Sequence, residues 1–178
     1  MMRRLTILVT ILATLSLLTA SPAAVASSPK PIQLALWNPV QVFPEDTSIY
    51  GLRLNLIYGV NRDLFGVDLG LINRTTGTVK GFQYGLVGFA EGDFHGWQND
   101  FVNITVEKFY GFQSGLYNQA GTGTGVQYGF VNASQSFEGL QLGIVNYTQT
   151  LYGVQIGLLN IMSQEDKHPI LPLVNWSF

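Results

Sequence analysis

The stretch GLQLGIVNYTQTLYGVQIGLLN, residues 139–160, contains one eight-residue motif twice, fourteen residues apart. The motif is G-x-Q-x-G-x-x-N, and it begins at Gly139 and again at Gly153. A fixed internal period is the sequence signature of an architecture in which each copy forms one structural unit. The organisation of this repeat therefore decides the fold.

The motif occurs eight times in the chain. Four spacings of fifteen residues are followed by three of fourteen, and a glycine opens each copy. Every copy is numbered below from that glycine as position 0. The opening glycines are Gly51, Gly66, Gly81, Gly96, Gly111, Gly125, Gly139 and Gly153.

The residues after each glycine alternate with the period of a β-strand. Positions +1 and +5 are apolar in every copy, whereas position +2 is Gln in six copies and position +4 is Gly in six. Alternation with period two predicts a strand with one apolar face and one Gln/Gly face. No helical period competes with it.

Antiparallel hairpins are the first way to join such strands. Strands from −2 to +8 leave turns of three or four residues, such as residues 148–150, and they place Gln141 opposite Gly157. Two further strands, at residues 33–43 and 170–178, bring the total to about ten. We therefore predict an all-β, antiparallel up-and-down meander of about ten strands that closes into a barrel and leaves no exposed edge.

A β-solenoid is the alternative. In it each copy is one coil, and the Gln and Asn side chains stack as ladders. Glycine at the corners would suit a coil of this length, but the two-length period is absorbed more easily by hairpin loops. Both architectures stay open, with the barrel preferred.

The start of the chain predicts export. Arg3 and Arg4 precede an apolar run over residues 5–20 and a small-x-small pattern at residues 24–26, as in a secretory signal peptide. We predict a signal peptide over residues 1–26 and a single domain over residues 27–178. Residues 27–178 hold seven Lys and Arg against eleven Asp and Glu, which gives no basic footprint for nucleic acid. Because the chain has no cysteine, disulfides and a cysteine nucleophile are excluded.

Polar residues on the even-numbered face are predicted to line the barrel lumen. Arg53 and Asp68 could form an internal ion pair. His95 and Asp100 have opposite face parity, and the only other histidine is His168, so no catalytic, metal or cofactor site is predicted, and the protein is not expected to be an enzyme. The predicted lumen residues are Arg53, Asp68, Gln83, Gln98, Asp100, Gln113, Gln127, Gln141 and Gln155.

Asparagine recurs at position +7, where it creates several N-x-S/T sequences. Because the motif itself generates them, we interpret these asparagines as polar residues close to turns and not as glycosylation sites.

The repeat, as in GVQYGFVN at residues 125–132, resembles that of bacterial surface-repeat-containing proteins. The leading sequence LALWNPVQVFPEDTSIYGLRLNLIYG, residues 34–59, is similar to the start of such chains. The resemblance implies an exported, surface-associated location and transfers no catalytic residues. The copies GLRLNLIY and GWQNDFVN depart from the pattern.

Together these features predict an exported outer-membrane or cell-surface β-barrel with a structural or surface-interaction role. Its partners would be outer-membrane lipid and the barrel-insertion machinery, with no cofactor and no nucleic acid. The alternative function is that of a secreted soluble solenoid that binds a partner through a Gln/Asn-rich face. A small pore is the remaining alternative.

Overall fold

The computed structural model describes residues 28–164 and 170–178. Strands make up 85% of the structure, and the described residues contain no helix. In these ranges there is accordingly no helix long and apolar enough to span a membrane. The predicted signal peptide and His168 lie outside the described residues.

Seven strands form one sheet in the order β2-β1-β3-β4-β5-β6-β7. The sixth strand is 69 residues long, because it passes from one motif copy to the next without a break. The strands are β1 Lys30–Trp37, β2 Val40–Gln41, β3 Ile49–Asn61, β4 Leu64–Thr75, β5 Val79–Ala90, β6 Phe94–Met162 and β7 Ile170–Ser177.

Successive motif copies pair in parallel and in register. Gly51 is opposite Gly66, and Gly66 is opposite Gly81. Each copy is therefore one coil of a β-solenoid. The all-β prediction is confirmed, whereas the antiparallel barrel is wrong and the solenoid alternative is the observed architecture.

The amide side chains explain why the coil is preferred to the hairpin. Gln141 does not face Gly157: its Nε2 donates to Oε1 of Gln127, and its Oε1 accepts from Nε2 of Gln155, each over 2.7 Å. A hairpin would have opposed each amide with a glycine that offers no side-chain partner. Stacking in register lets each amide donate and accept at once. Residues 148–150, predicted as a turn, lie within β6.

The glycine at position 0 is required twice over. All eight have positive φ, between 125° and 148°, a conformation that residues with a side chain rarely adopt. A Cβ on Gly111 would also lie 2.0 Å from the carbonyl oxygen of Gly96, one coil earlier. The coils therefore approach each other closely only because this column is glycine.

The inward–outward alternation shifts after position +5. Positions +5 and +6 both point outward, as Leu56 and Ile57 show at 64% and 44% exposure, so the asparagine at +7 points inward. Asn103 holds this bend because its amide accepts from the backbone N–H of Asp100 and donates to the carbonyl of Asp100, each over 2.9 Å. The prediction that the asparagines at +7 are merely polar residues close to turns missed this buried role.

The apolar core lies on the other side of the coil, at positions −2 and +9. Phe94, Phe109 and Phe137 are buried there, and the core divides into two clusters. Position −2 of the intervening coil is Gly123, and a Cβ on it would lie 2.5 Å from the Phe137 ring. The Phe137 ring therefore occupies the space that a side chain at residue 123 would need.

The two ends of the solenoid are built differently. Strand β1 extends the stack in parallel with β3, whereas β7 pairs antiparallel with the end of β6. Of the single strand predicted over residues 33–43, only residues 33–37 belong to this parallel stack; the chain then turns back, and β2 pairs antiparallel with β1. Strand β2 has only two residues, between Pro39 and Pro44. A short edge strand flanked by prolines is a poor template for further strand pairing.

Candidate interaction face and interior ladders

The outer face comprises positions +1, +3 and +5 of the eight coils and the aligned residues of β1 and β7. Each of these ten stacked segments is called a rung. Leu34 of β1 aligns with Leu54, and Val174 of β7 aligns with Ile156. Along the rungs, the +3 row reads Leu34, Leu54, Leu69, Tyr84, Asn99, Ser114, Tyr128, Leu142, Ile156 and Val174.

This outer face is apolar and accessible. Leu158 is 67% exposed, and Tyr128 is 59% exposed. Three rows that run over ten rungs and are apolar except at Asn99 and Ser114 are far more than the scattered hydrophobic residues of an ordinary surface. Exposed apolar patches of this extent are typical of interaction sites.

Charged residues lie off the outer face. Among the described residues, every charged side chain lies in the coil interior, at position −1 or +8, between coils, at the first residue of β1, or in the segment after β2. Positively and negatively charged residues both occur around the outer face. The charged residues outside the interior are Lys30, Glu45, Asp46, Arg62, Asp63, Arg74, Lys80, Glu91, Asp93, Glu107, Lys108 and Glu138.

Two shallow grooves run across the outer face. The first, of about 770 Å³, lies between the β1–β2 hairpin and the first coils, where Leu34, Leu54 and Leu69 contribute to its wall. The second, of about 670 Å³, crosses the middle and C-terminal coils over the glycines at position +4, among them Gly115 and Gly129. Backbone forms the floor between the +3 and +5 rows because position +4 faces the interior: a Cβ on Gly115 or Gly129 would lie 2.6 Å from the buried amide of Asn103 or Asn118.

A small polar cluster interrupts the apolar face at its centre. Ser114 Oγ lies 2.5 Å from Asn99 Oδ1, and Trp97 Nε1 donates to Ser114 Oγ over 3.1 Å. Asn99 and Ser114 are the only polar residues of the +3 row. They occupy the fifth and sixth of the ten rungs.

Inside the solenoid, the glutamines at position +2 form one continuous ladder. From Gln98 to Gln155, each Nε2 donates to Oε1 of the glutamine one coil earlier, over 2.7–2.9 Å. These side chains have 0% exposure. The direction of donation is the same at every step, so the ladder needs an acceptor at its N-terminal end.

Asp68 supplies that acceptor. Its Oδ2 accepts from Gln83 Nε2 over 2.7 Å, and both its oxygens accept from Arg53, over 2.8 and 2.6 Å. Arg53 also donates to the backbone carbonyl of Arg74 and to Thr75 Oγ1. The ion pair has 0% exposure on both sides, and this full hydrogen bonding is what makes such burial tolerable.

The asparagines at position +7 form a second ladder with the opposite polarity. From Asn103 to Asn146, each Nδ2 donates to Oδ1 of the asparagine one coil later, over 2.8 Å, and Asn160 is the last acceptor. The same amides donate to backbone carbonyls of the next coil, as Asn118 does to Tyr128. The local dipoles of the two ladders therefore oppose each other.

Asp100 lies where the asparagine ladder is interrupted. Position +7 of the third coil is Gly88, and a Cβ there would lie 2.2 Å from both Asp100 Oδ2 and Gln83 Oε1. Asp100 replaces the usual glycine at position +4. The pKa of Asp100 is raised to about 8: burial is the largest cause and the charge of Asp68 adds to it, whereas a hydrogen bond from Asn73 and the charge of Arg53 act in the opposite direction.

All nine residues predicted to line a lumen lie in the interior, at 0–2% exposure. They contact one another and do not border an open channel, because the coil replaces the barrel. His95 stacks on Tyr110 at 4.8 Å between ring centroids, so it does not meet the buried Asp100. Residues 28–164 and 170–178 contain no cluster of His, Cys, Asp and Glu that could hold a metal ion.

Sequence reasoning predicted ladders of Gln and Asn only in the solenoid alternative, and it missed the central polar cluster. The signal for the ladder was the recurrence of Asn at one position in six coils, since identical amides at one position pair best with each other. No family model, curated protein or solved structure matches the chain.

Proposed function

We propose that the protein is an exported, non-catalytic repeat protein of the cell surface, with a structural or surface-interaction role. Its solenoid acts as a stiff scaffold, and its outer face docks on an apolar surface. The observation that carries this proposal is the absence of charge from three adjacent rows over ten rungs. Exposed apolar patches of this kind mark interaction sites.

Export and surface location rest on the signal-peptide pattern of residues 1–26 and on the resemblance to bacterial surface-repeat-containing proteins. The partners expected of a barrel, namely the insertion machinery and a lipid belt around it, depended on the barrel and are not part of this proposal. The small pore needed the lumen of a barrel, so it is not part of this proposal either.

Binding through the Gln/Asn-rich face is also set aside. That alternative needs amides that a partner can reach, whereas Gln113 and Asn118 have 0% exposure and already donate and accept within their ladders. A partner would have to separate the coils to bind them. The outer face, not the amide face, is therefore the interaction surface.

Co-sedimentation with isolated cell envelopes tests the proposal. The double substitution Leu86→Glu and Phe130→Glu places two charges on the outer face, at residues that are 52% and 57% exposed. We expect it to release the protein into the supernatant while the urea midpoint stays close to that of the wild type. The matched control is Val106→Glu, at a residue 47% exposed but off the outer face, and it should sediment like the wild type.

Equal sedimentation of the double variant and the wild type would overturn the assignment of this face. Loss of sedimentation by Val106→Glu as well would mean that added charge, not the outer face, controls the association.

A further inference from the structure

The outer face is symmetric in a way that a second copy of the chain would use. Its polar cluster occupies the fifth and sixth of ten rungs, and only apolar residues of the +3 row lie to either side. When two such faces meet about a two-fold axis that lies in the plane between them and passes through the centre of the face, the centre of one face meets the centre of the other. Asn99 and Ser114 would then lie opposite the same pair of the second chain.

The hydrogen-bonding capacity of the cluster favours this occupant over lipid. Asn99 Oδ1 lies within hydrogen-bonding distance of Ser114 Oγ, but its Nδ2 has no partner among the described residues. In hydrocarbon an unpaired amide costs several kcal/mol. Against a second copy, the same amide meets an amide oxygen and a hydroxyl.

The charges around the outer face also favour a second copy of the chain over a lipid membrane. A surface that binds an anionic membrane usually carries Lys and Arg around its apolar part. Here Lys80 and Glu138 share the row at position −1, and the turns carry both signs. No cationic border is present among the described residues.

The size of the face is sufficient for a specific dimer. Ten rungs about 4.8 Å apart and five residues of about 3.3 Å each give roughly 800 Å² per partner, which is the standard size of a stable interface. Stacked sheets with interdigitating apolar side chains pack about 10 Å apart. The partly exposed aromatic residues Trp97, Phe101 and Tyr128 would supply the large side chains that dominate such interfaces.

We propose that the outer face docks on the outer face of a second copy, with the Asn99–Ser114 pair of each chain opposite the same pair of the other. This inference rests on the proposed function, and it names the partner as the protein itself. The central polar pair fixes the register, because any slip along the solenoid places its amide against apolar side chains.

Sedimentation equilibrium and a single cysteine test the pairing, and the chain has no other cysteine. The purified protein should sediment as a dimer, and Ser114→Cys should give a covalent dimer with a short bis-maleimide crosslinker that spans the gap of about 10 Å between packed sheets. The control Val106→Cys, off the outer face, should remain uncrosslinked. A monomeric wild type, an assembly larger than a dimer, or equal crosslinking of the two variants overturns the inference.

Binding to vesicles of zwitterionic phosphatidylcholine distinguishes failure of the dimer proposal from failure of the proposed function. A monomer that binds these vesicles, and loses binding on Leu86→Glu with Phe130→Glu, would make lipid the occupant and leave the outer face as the interaction surface. A monomer that binds neither vesicles nor cell envelopes would overturn both proposals.

Discussion

The carboxyl group of Asp100 occupies the space next to Gly88 that an asparagine side chain fills in other coils. A Cβ on Gly88 would lie 2.2 Å from Asp100 Oδ2, and this oxygen has no hydrogen-bond partner among the described residues. Two residues therefore depart from the motif together: Gly88 replaces the asparagine at +7 of the third coil, and Asp100 replaces the glycine at +4 of the fourth. The side chain that one position lacks is supplied by the other. The two replacements also leave one ionisable group at the junction of the two ladders.

The pH dependence of stability should report this group. Because the folded state raises the pKa of Asp100 to about 8, the folded protein holds a proton that the unfolded chain releases above pH 3.8. The free energy of unfolding should therefore fall as the pH rises from about 4 to about 8, with a limiting slope near 1.4 kcal/mol per pH unit. Urea midpoints at pH 5 and pH 9 measure it, and Asp100→Asn should remove most of the difference. An unchanged pH dependence in Asp100→Asn would exclude Asp100 as its source.

A double-mutant cycle tests the compensation itself. Gly88→Asn should destabilise the wild type, because the new side chain would clash with Asp100 and Gln83. When Asp100→Gly is added, the pair returns to the motif, and most of the lost stability should be recovered, with a coupling energy of about 1–3 kcal/mol. Additive effects of the two changes would show that the two sites are independent.

The glutamine ladder should respond differently to a break in the middle and a break at the end. Gln127→Leu removes bonds to Gln113 and Gln141, whereas Gln155→Leu removes one ladder bond, because Gln155 Oε1 has no partner among the described residues. Each orphaned buried group costs about 1–3 kcal/mol. Chemical denaturation should rank Gln127→Leu as about twice as costly as Gln155→Leu, and the reverse order would contradict the ladder.

The buried ion pair should be dispensable as a pair but not singly. Arg53→Met strands the Asp68 carboxylate at 0% exposure and should lower the free energy of unfolding by about 3–5 kcal/mol. Replacing both residues by glutamine extends the ladder of the other coils. The double variant should unfold within about 1 kcal/mol of the wild type or be more stable than it. A double variant as unstable as Arg53→Met would show that the charges themselves are needed.

The sequence predicted where the strands lie and which residues face inward, but it did not predict which strands pair with each other. Period two places Gln141 inside and Leu140 outside in a hairpin and in a coil alike, so the alternation could not separate the two folds. The deciding information was side-chain chemistry, since Gln141 pairs with Gln127 and Gln155 and not with a glycine. The outward shift at positions +5 and +6 could not be predicted, because it arises from the bend that Asn103 holds through the backbone of Asp100.

The candidate site was predicted only in part. The apolar outer face followed from positions +1 and +5, but it was assigned to lipid because a barrel wall needs such a belt. The place of Asn99 and Ser114 at the middle of the rungs depends on β1 being parallel to β3 and on β7 closing the other end. Neither pairing can be deduced from periodicity.

The distance between spin labels at Leu54→Cys and Ile156→Cys tests the solenoid most directly. The labels lie seven coils apart, so pulsed electron paramagnetic resonance on protein diluted with unlabelled chain should give about 34 Å at 4.8 Å per coil. In a closed ten-strand barrel the same positions would be three strands apart around the wall, at less than about 20 Å. A distribution centred near 34 Å is predicted, and one centred below 20 Å would contradict the stacked-coil architecture.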